Sequence, residues 1–84
     1  MEAVKIDREK YKFVIKFNSN IYSKKCIELA LKDFKNFGCG RLEILGEEIL
    51  VDFDVNKSHA GFLNDTAYEF CNYVLGLMKN KFYV

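Results

Sequence analysis

The chain has no proline, so no slow prolyl isomerisation is expected in its folding. It has three cysteines, Cys26, Cys39 and Cys71. An odd number without close spacing suits neither a disulfide framework nor a zinc knuckle. The expectation is buried, reduced thiols that behave as small hydrophobes, two of them at inward helix positions. An excess of one charge is also missing: 13 basic and 12 acidic residues leave a formal charge of +1. No global field therefore steers the protein to nucleic acid or an anionic membrane. No apolar run approaches the ~20 residues of a membrane span, and Met1–Arg8 carries acidic residues without a signal-peptide core. The reading is a soluble, cytoplasmic protein. The five glycines, at 38, 40, 46, 61 and 76, form no spaced cluster between strand and helix, which excludes nucleotide binding by a known phosphate-cradling motif.

What is present is aromatic and apolar. Eight Phe and five Tyr in 84 residues supply buried area that so short a chain otherwise lacks, and most of them are expected in a core. The length gives one domain, residues 1–84, with its ordered core at about 11–79. The strongest local pattern is a hairpin, Arg41–Leu45 and Glu48–Val55, with Gly46 and Glu47 as loop. Pairing outward from the loop sets Ile44 against Ile49 and Leu42 against Val51 on one face, and Arg41 against Asp52 on the other. A slip of one residue would expose the apolar row and split the charge pair, so turn and faces specify one register.

Tyr11–Phe17 alternates, with Tyr11, Phe13, Ile15 and Phe17 on one side and Lys12, Val14 and Lys16 on the other, as a half-buried strand does. Ser23 is placed to cap a helix, with Tyr22 stapling onto Ile27. That helix turns Ile27, Ala30, Leu31 and Phe34 inward and ends at Gly38 as a left-handed cap. A second helix, capped by Asn64 or Asp65 and stopped at Asn80, turns Ala67, Phe70, Cys71, Val74 and Met78 inward. Both cover the hairpin's apolar face of Leu42, Ile44, Ile49, Val51, Phe53 and Val55. The fold class is α+β, a two-layer sandwich in β-α-β-β-α order. Lys81–Val84 is either a frayed end or a short fourth strand, which would make the fold ferredoxin-like.

Little of this carries chemistry. His59, the lone histidine, reads as a solvent-exposed loop residue, because neighbouring Ser58 is not expected to face it. Asp52 and Asp54 share a strand face, yet Arg41 is placed to neutralise Asp52, and Lys12 and Lys16 stand on the same open face. A salt-laced, solvated sheet explains them better than acid–base or metal chemistry, so no catalytic residue, metal or cofactor is assigned. The exposed sheet positions lack the stacked aromatics of an RNA reader. Lys24, Lys25, Lys32 and Lys35 form a small basic patch that reads as a solubilising surface. What remains is an interaction surface: Val14 and Leu50 among Lys12, Lys16, Arg41 and Asp52, together with any unpaired outer strand.

The run Phe17-Asn-Ser-Asn-Ile-Tyr-Ser23, followed by Ile27, Ala30 and Asp33-Phe34, resembles the opening of the small D component of His-Xaa-Ser peptide-maturation systems (HxsD-like). There a strand leads into a Tyr-Ser helix start, then a hairpin, then a helix with a Phe-x-Asn-x-x-Leu stretch, here Phe70–Leu75. The resemblance spans about residues 11–78 and implies an accessory protein beside radical S-adenosylmethionine maturases, with no catalytic residue or iron–sulfur cluster of its own. The function expected is a non-enzymatic adaptor that binds a precursor peptide or partner enzyme. The alternative is a ferredoxin-like small-molecule-sensing or dimerisation module, a homodimer joined through its sheets.

Overall fold

The computed structural model describes residues 3–81. Its elements run β1 (Ala3–Asp7), β2 (Lys12–Asn18), α1 (Lys24–Asp33), β3 (Gly38–Leu45), β4 (Glu48–Val55), a 3₁₀ helix (Lys57–Phe62) and α2 (Leu63–Lys81). The four strands form one antiparallel sheet in the order β1-β2-β4-β3. Both helices pack on one face, giving an α+β two-layer arrangement. The order is thus β-β-α-β-β-α. The fourth strand comes from the N-terminus: β1 takes the position beside β2. Lys81 closes α2, and the remainder of the expected C-terminal strand, residues 82–84, lies outside the described residues. Val4 and Ile6 face the core opposite Ile15 and Phe13, so β1 carries the same alternation as its neighbour in a segment ahead of the expected core.

The β3–β4 hairpin has the register its sequence demands, Arg41 opposite Asp52, Leu42 opposite Val51 and Ile44 opposite Ile49. Gly46 has φ +61°, whereas Glu47 does not enter the positive region. A positive φ at the first loop residue alone matches a type II′ turn, whose twist fits flanking strands. Ile49, Val51, Phe53 and Val55 are buried, but Ile44 remains 49% exposed, because it sits near the hairpin tip on the outermost strand.

The core joins Phe13, Phe17 and Phe53 of the sheet to Phe34 and Phe70 of the helix layer. Phe70 touches four of these rings, with centroids 5.2 Å from Phe34 and 6.3 to 6.4 Å from Phe13, Phe17 and Phe53. Ser23 caps α1 by accepting from the Cys26 amide at 3.3 Å, and Tyr22, Cys26, Ile27 and Ala30 are buried. Cys71 is buried as well, whereas Cys39 is exposed on the outer strand.

Gly38 does not cap α1. The helix ends at Phe34, whose own amide bonds back to Ala30, and Gly38 opens β3 without a positive φ. Its role is close approach. A Cβ there would strike the Asp54 carbonyl and come within 2.8 Å of the Phe53 ring. Tyr11 departs from the strand pattern too: it lies in the turn between β1 and β2 at φ 53°, and is 40% exposed. Asp7 closes that turn, its carboxylate accepting from the amides of Glu9 (3.0 Å) and Lys10 (3.1 Å). α2 starts at Leu63, directly after the 3₁₀ helix, so neither Asn64 nor Asp65 is its cap, and it continues past Asn80. Its inward positions are those expected: Ala67, Phe70, Cys71, Val74 and Met78 are all buried.

Candidate functional site

Alternation along the strands sends every second side chain to the face away from the helices. Across the sheet these residues stand in rows: Asp7, Lys12, Asp54, Cys39; then Lys5, Val14, Asp52, Arg41; then Ala3, Lys16, Leu50, Glu43; then Asn18, Glu48, Leu45. All six residues singled out from sequence, Lys12, Val14, Lys16, Arg41, Leu50 and Asp52, fall on this open face on β2, β4 and β3. Both helices lie against the opposite face, and at one end of the open face the turn residues Arg8, Glu9 and Lys10 line a hollow together with Lys5, Lys12 and Val14.

Charges of opposite sign are interleaved. The Lys12 ammonium reaches diagonally to Asp52, 3.0 Å from Oδ1 and 3.2 Å from Oδ2. Arg41 lies 3.6 Å from Asp52 and 3.4 Å from Asp54. Asp52 therefore stands between two cations, and Lys12, from the strand on the other side, is its nearer partner. Both aspartates are held in ion pairs, which suits the salt-laced reading of the face. Among the described residues, no group of three or more histidine, cysteine or acidic side chains is arranged to hold a metal ion.

Between the charges runs an apolar track. Val14 and Leu50 are diagonal neighbours on β2 and β4, each half-buried, and Leu50 is in turn diagonal to Leu45 on β3, which is 49% exposed. Diagonal cross-strand neighbours lie about 7–8 Å apart, within reach of such side chains. Ala3 continues the track onto β1.

The two sheet edges differ. Asn56 donates its amide to the Phe37 carbonyl at 2.8 Å, which continues the β3–β4 ladder by one pair and fixes its phase. Bonded and non-bonded pairs alternate in an antiparallel ladder. Cys39, Arg41, Glu43 and Leu45 therefore bond to β4, and the backbone groups of Gly38, Gly40, Leu42 and Ile44 point outward. On β1, by the same reasoning from the Val55 to Tyr11 bond of 2.8 Å, Val4 and Ile6 are the outward-pointing positions among the described residues. A very short strand is one way of blunting an edge; β3, at eight residues without a bulge, is not blunted.

The remaining candidates lie elsewhere. Ser58 and His59 do meet, Oγ to Nδ1 at 3.2 Å, although adjacent loop residues were not expected to. The imidazole packs edge-on against Phe37 at 5.1 Å and is half-buried. Lys24, Lys25 and Lys32 on α1 and Lys35 in the turn after it are all exposed. Between the helices Tyr73 donates to the Asp33 carboxylate at 2.5 Å. That bond and the carboxylate's charge raise the Tyr73 hydroxyl above its usual pKa.

Sequence reasoning found the centre of the open face and missed its margins, Ala3, Lys5 and Asp7, because β1 was not recognised. The signal was present: Val4 and Ile6 alternate with Lys5 and Asp7. No helix among the described residues is long and apolar enough to cross a membrane. No protein-family model matches the chain, and comparisons with curated proteins and with solved structures give no match.

Proposed function

We propose that the protein is a non-enzymatic adaptor that binds a precursor peptide or its modifying enzyme through the open face of the sheet. The observation that carries this reading is the apolar track of Val14, Leu50 and Leu45, left uncovered between interleaved charges. A solvated antiparallel face ordinarily alternates polar outward positions, and an apolar line across neighbouring strands is the exception that marks a binding surface. The charges beside it suit a segment that is itself amphipathic and carries both signs. The resemblance to the small component of His-Xaa-Ser maturation systems supplies the pathway: a peptide modified by a radical S-adenosylmethionine enzyme.

Catalysis by Asp52, Asp54 and His59 is the weaker reading, since the aspartates are held by Lys12 and Arg41 and the imidazole packs on Phe37. A dimerisation module is favoured by one separate feature, the outer side of β3, which pairs with no strand among the described residues.

The adaptor reading is tested by affinity capture from the native cell with wild-type protein and Leu50→Lys in parallel. Leu50 contributes to no buried cluster, so the variant keeps the wild-type stability to within about 0.5 kcal/mol. Recovery of a short precursor peptide or a radical enzyme by the wild type, lost with Leu50→Lys, supports the reading. Equal recovery by both removes the open face from it.

A further inference from the structure

We propose that two copies of this chain associate by antiparallel pairing of β3 with β3 of the second copy, Leu42 facing Leu42 across a two-fold axis perpendicular to the sheet. Only the backbone groups of Gly38, Gly40, Leu42 and Ile44 point outward, so they alone can form the bonded pairs of an added strand. This parity leaves few registers, and side-chain charge chooses among them.

With Leu42 facing Leu42, Gly40 faces Ile44, Arg41 faces Glu43 and Cys39 faces Leu45, each contact occurring twice by symmetry. The open face then gains two opposite-charge pairs. On the helix face the exposed Ile44 side chain comes beside Gly40, over which the Leu31 and Phe53 side chains pack. Setting Leu42 against Gly40 instead puts Arg41 on Arg41, and setting it against Ile44 puts Glu43 on Glu43. Like charges directly opposite are destabilising. Setting Gly40 on Gly40 matches Arg41 with Cys39 and leaves Ile44 beyond the paired stretch, and setting Ile44 on Ile44 pairs only the strand tips, with Leu42 and Arg41 set against the loop residues Gly46 and Glu47. One register alone satisfies the backbone, the charges and the apolar side chains.

The product is a continuous eight-stranded sheet, with both helix layers on one side and both open faces joined on the other. The proposal does not depend on the adaptor reading. Edge pairing of one strand from each copy gives an interface at the small end of the size range, so association falls at about micromolar concentrations or weaker.

The test is light scattering or sedimentation of the full chain from about 10 µM to 1 mM, a range that populates such a dimer. The expected mass rises from the 9.8 kDa monomer towards its double. Glu43→Arg faces Arg41 of the second copy with a like charge and weakens association about tenfold. Ile44→Pro removes an outward amide that the monomer does not use, as proline on the solvent side of an edge strand permits, and also weakens association at least about tenfold. Leu45→Cys fixes the register: its thiol faces Cys39 of the second copy. Oxidised glutathione takes the two electrons and two protons of each thiol pair, leaving one disulfide and two glutathione thiols. An internal bond is out of reach, because positions 39 and 45 of one extended strand lie about 20 Å apart. Covalent dimer from Leu45→Cys, with little from Glu43→Cys, is the expected result. A mass fixed at 9.8 kDa throughout, or cross-linking through Glu43→Cys in preference to Leu45→Cys, overturns the proposal.

Discussion

Gly40 lies directly opposite Phe53, and a Cβ on Gly40 would come within 2.7 Å of the phenyl ring while striking the Leu31 side chain. The ring of Phe53, stacked on Phe13 at 5.0 Å, thus fills space where an outer-strand side chain would otherwise stand. Gly40→Ala is expected to cost about 1–3 kcal/mol, the usual penalty of forcing an extra carbon into a packed site. Gly76→Ala behaves oppositely: it lies inside α2 with nothing near its would-be Cβ, so it gains about 0.5–1 kcal/mol. Urea midpoints of the two variants, moving in opposite directions at unchanged slope, check both.

Phe70 is the one helix-layer ring in contact with Phe13, Phe17, Phe34 and Phe53. Phe70→Ala is expected to cost about 3–5 kcal/mol. Small domains hold about 5–15 kcal/mol in total, so thermal unfolding of this variant begins near ambient temperature. Phe70→Leu retains most of the volume and falls between it and the wild type. Calorimetry that finds Phe70→Ala as stable as the wild type would show that the aromatic cluster is not the core's centre.

The elements differ in how far sequence revealed them, for physical reasons. The β3–β4 register was legible because the Gly46 turn and both strand faces agree on it, and any slip violates all three. The inward stripe of α2 was legible because Ala67, Phe70, Cys71, Val74 and Met78 recur at helical spacing. Gly38 was misread because a glycine shortly after a helix is usually its left-handed cap. Here the demand for it comes from Asp54 and Phe53, far away in sequence. The six open-face residues followed from strand alternation alone. The free edge did not, since which strand is outermost depends on β1 taking the place beside β2. That choice is made by tertiary packing of Val4 and Ile6 and has only a two-residue apolar signal.

Tyr11 holds φ 53° in the turn before β2, a left-handed conformation that costs a residue with a Cβ about 1–2 kcal/mol. Tyr11→Ala and Tyr11→Gly both remove the ring, but only glycine relieves the backbone. The glycine variant is therefore expected to be the more stable of the two by about 1 kcal/mol, reversing the order seen at ordinary strand positions. Equal unfolding midpoints for the two would show that the turn is not strained.

Tyr73 and Asp33 tie α2 to α1, and their contact makes the helix layer sensitive to alkali. The Asp33 carboxylate accepts the Tyr73 hydroxyl proton in a hydrogen bond, and its negative charge disfavours a second anion beside it, so the folded hydroxyl ionises above its ordinary value of 10.0. Unfolded chains release this proton earlier and bind fewer protons than folded ones above about pH 10, so stability falls as pH rises there. The contribution is complete below the unfolded value and is lost as pH climbs through the raised folded one. Absorbance titration of the tyrosinates should show a late-ionising component that is lost in Tyr73→Phe. Asp33→Asn keeps a hydrogen-bond acceptor while deleting the charge, and it is expected to move that component back towards the ordinary range. A titration curve identical in wild type and Asp33→Asn would mean that the two side chains do not meet in solution.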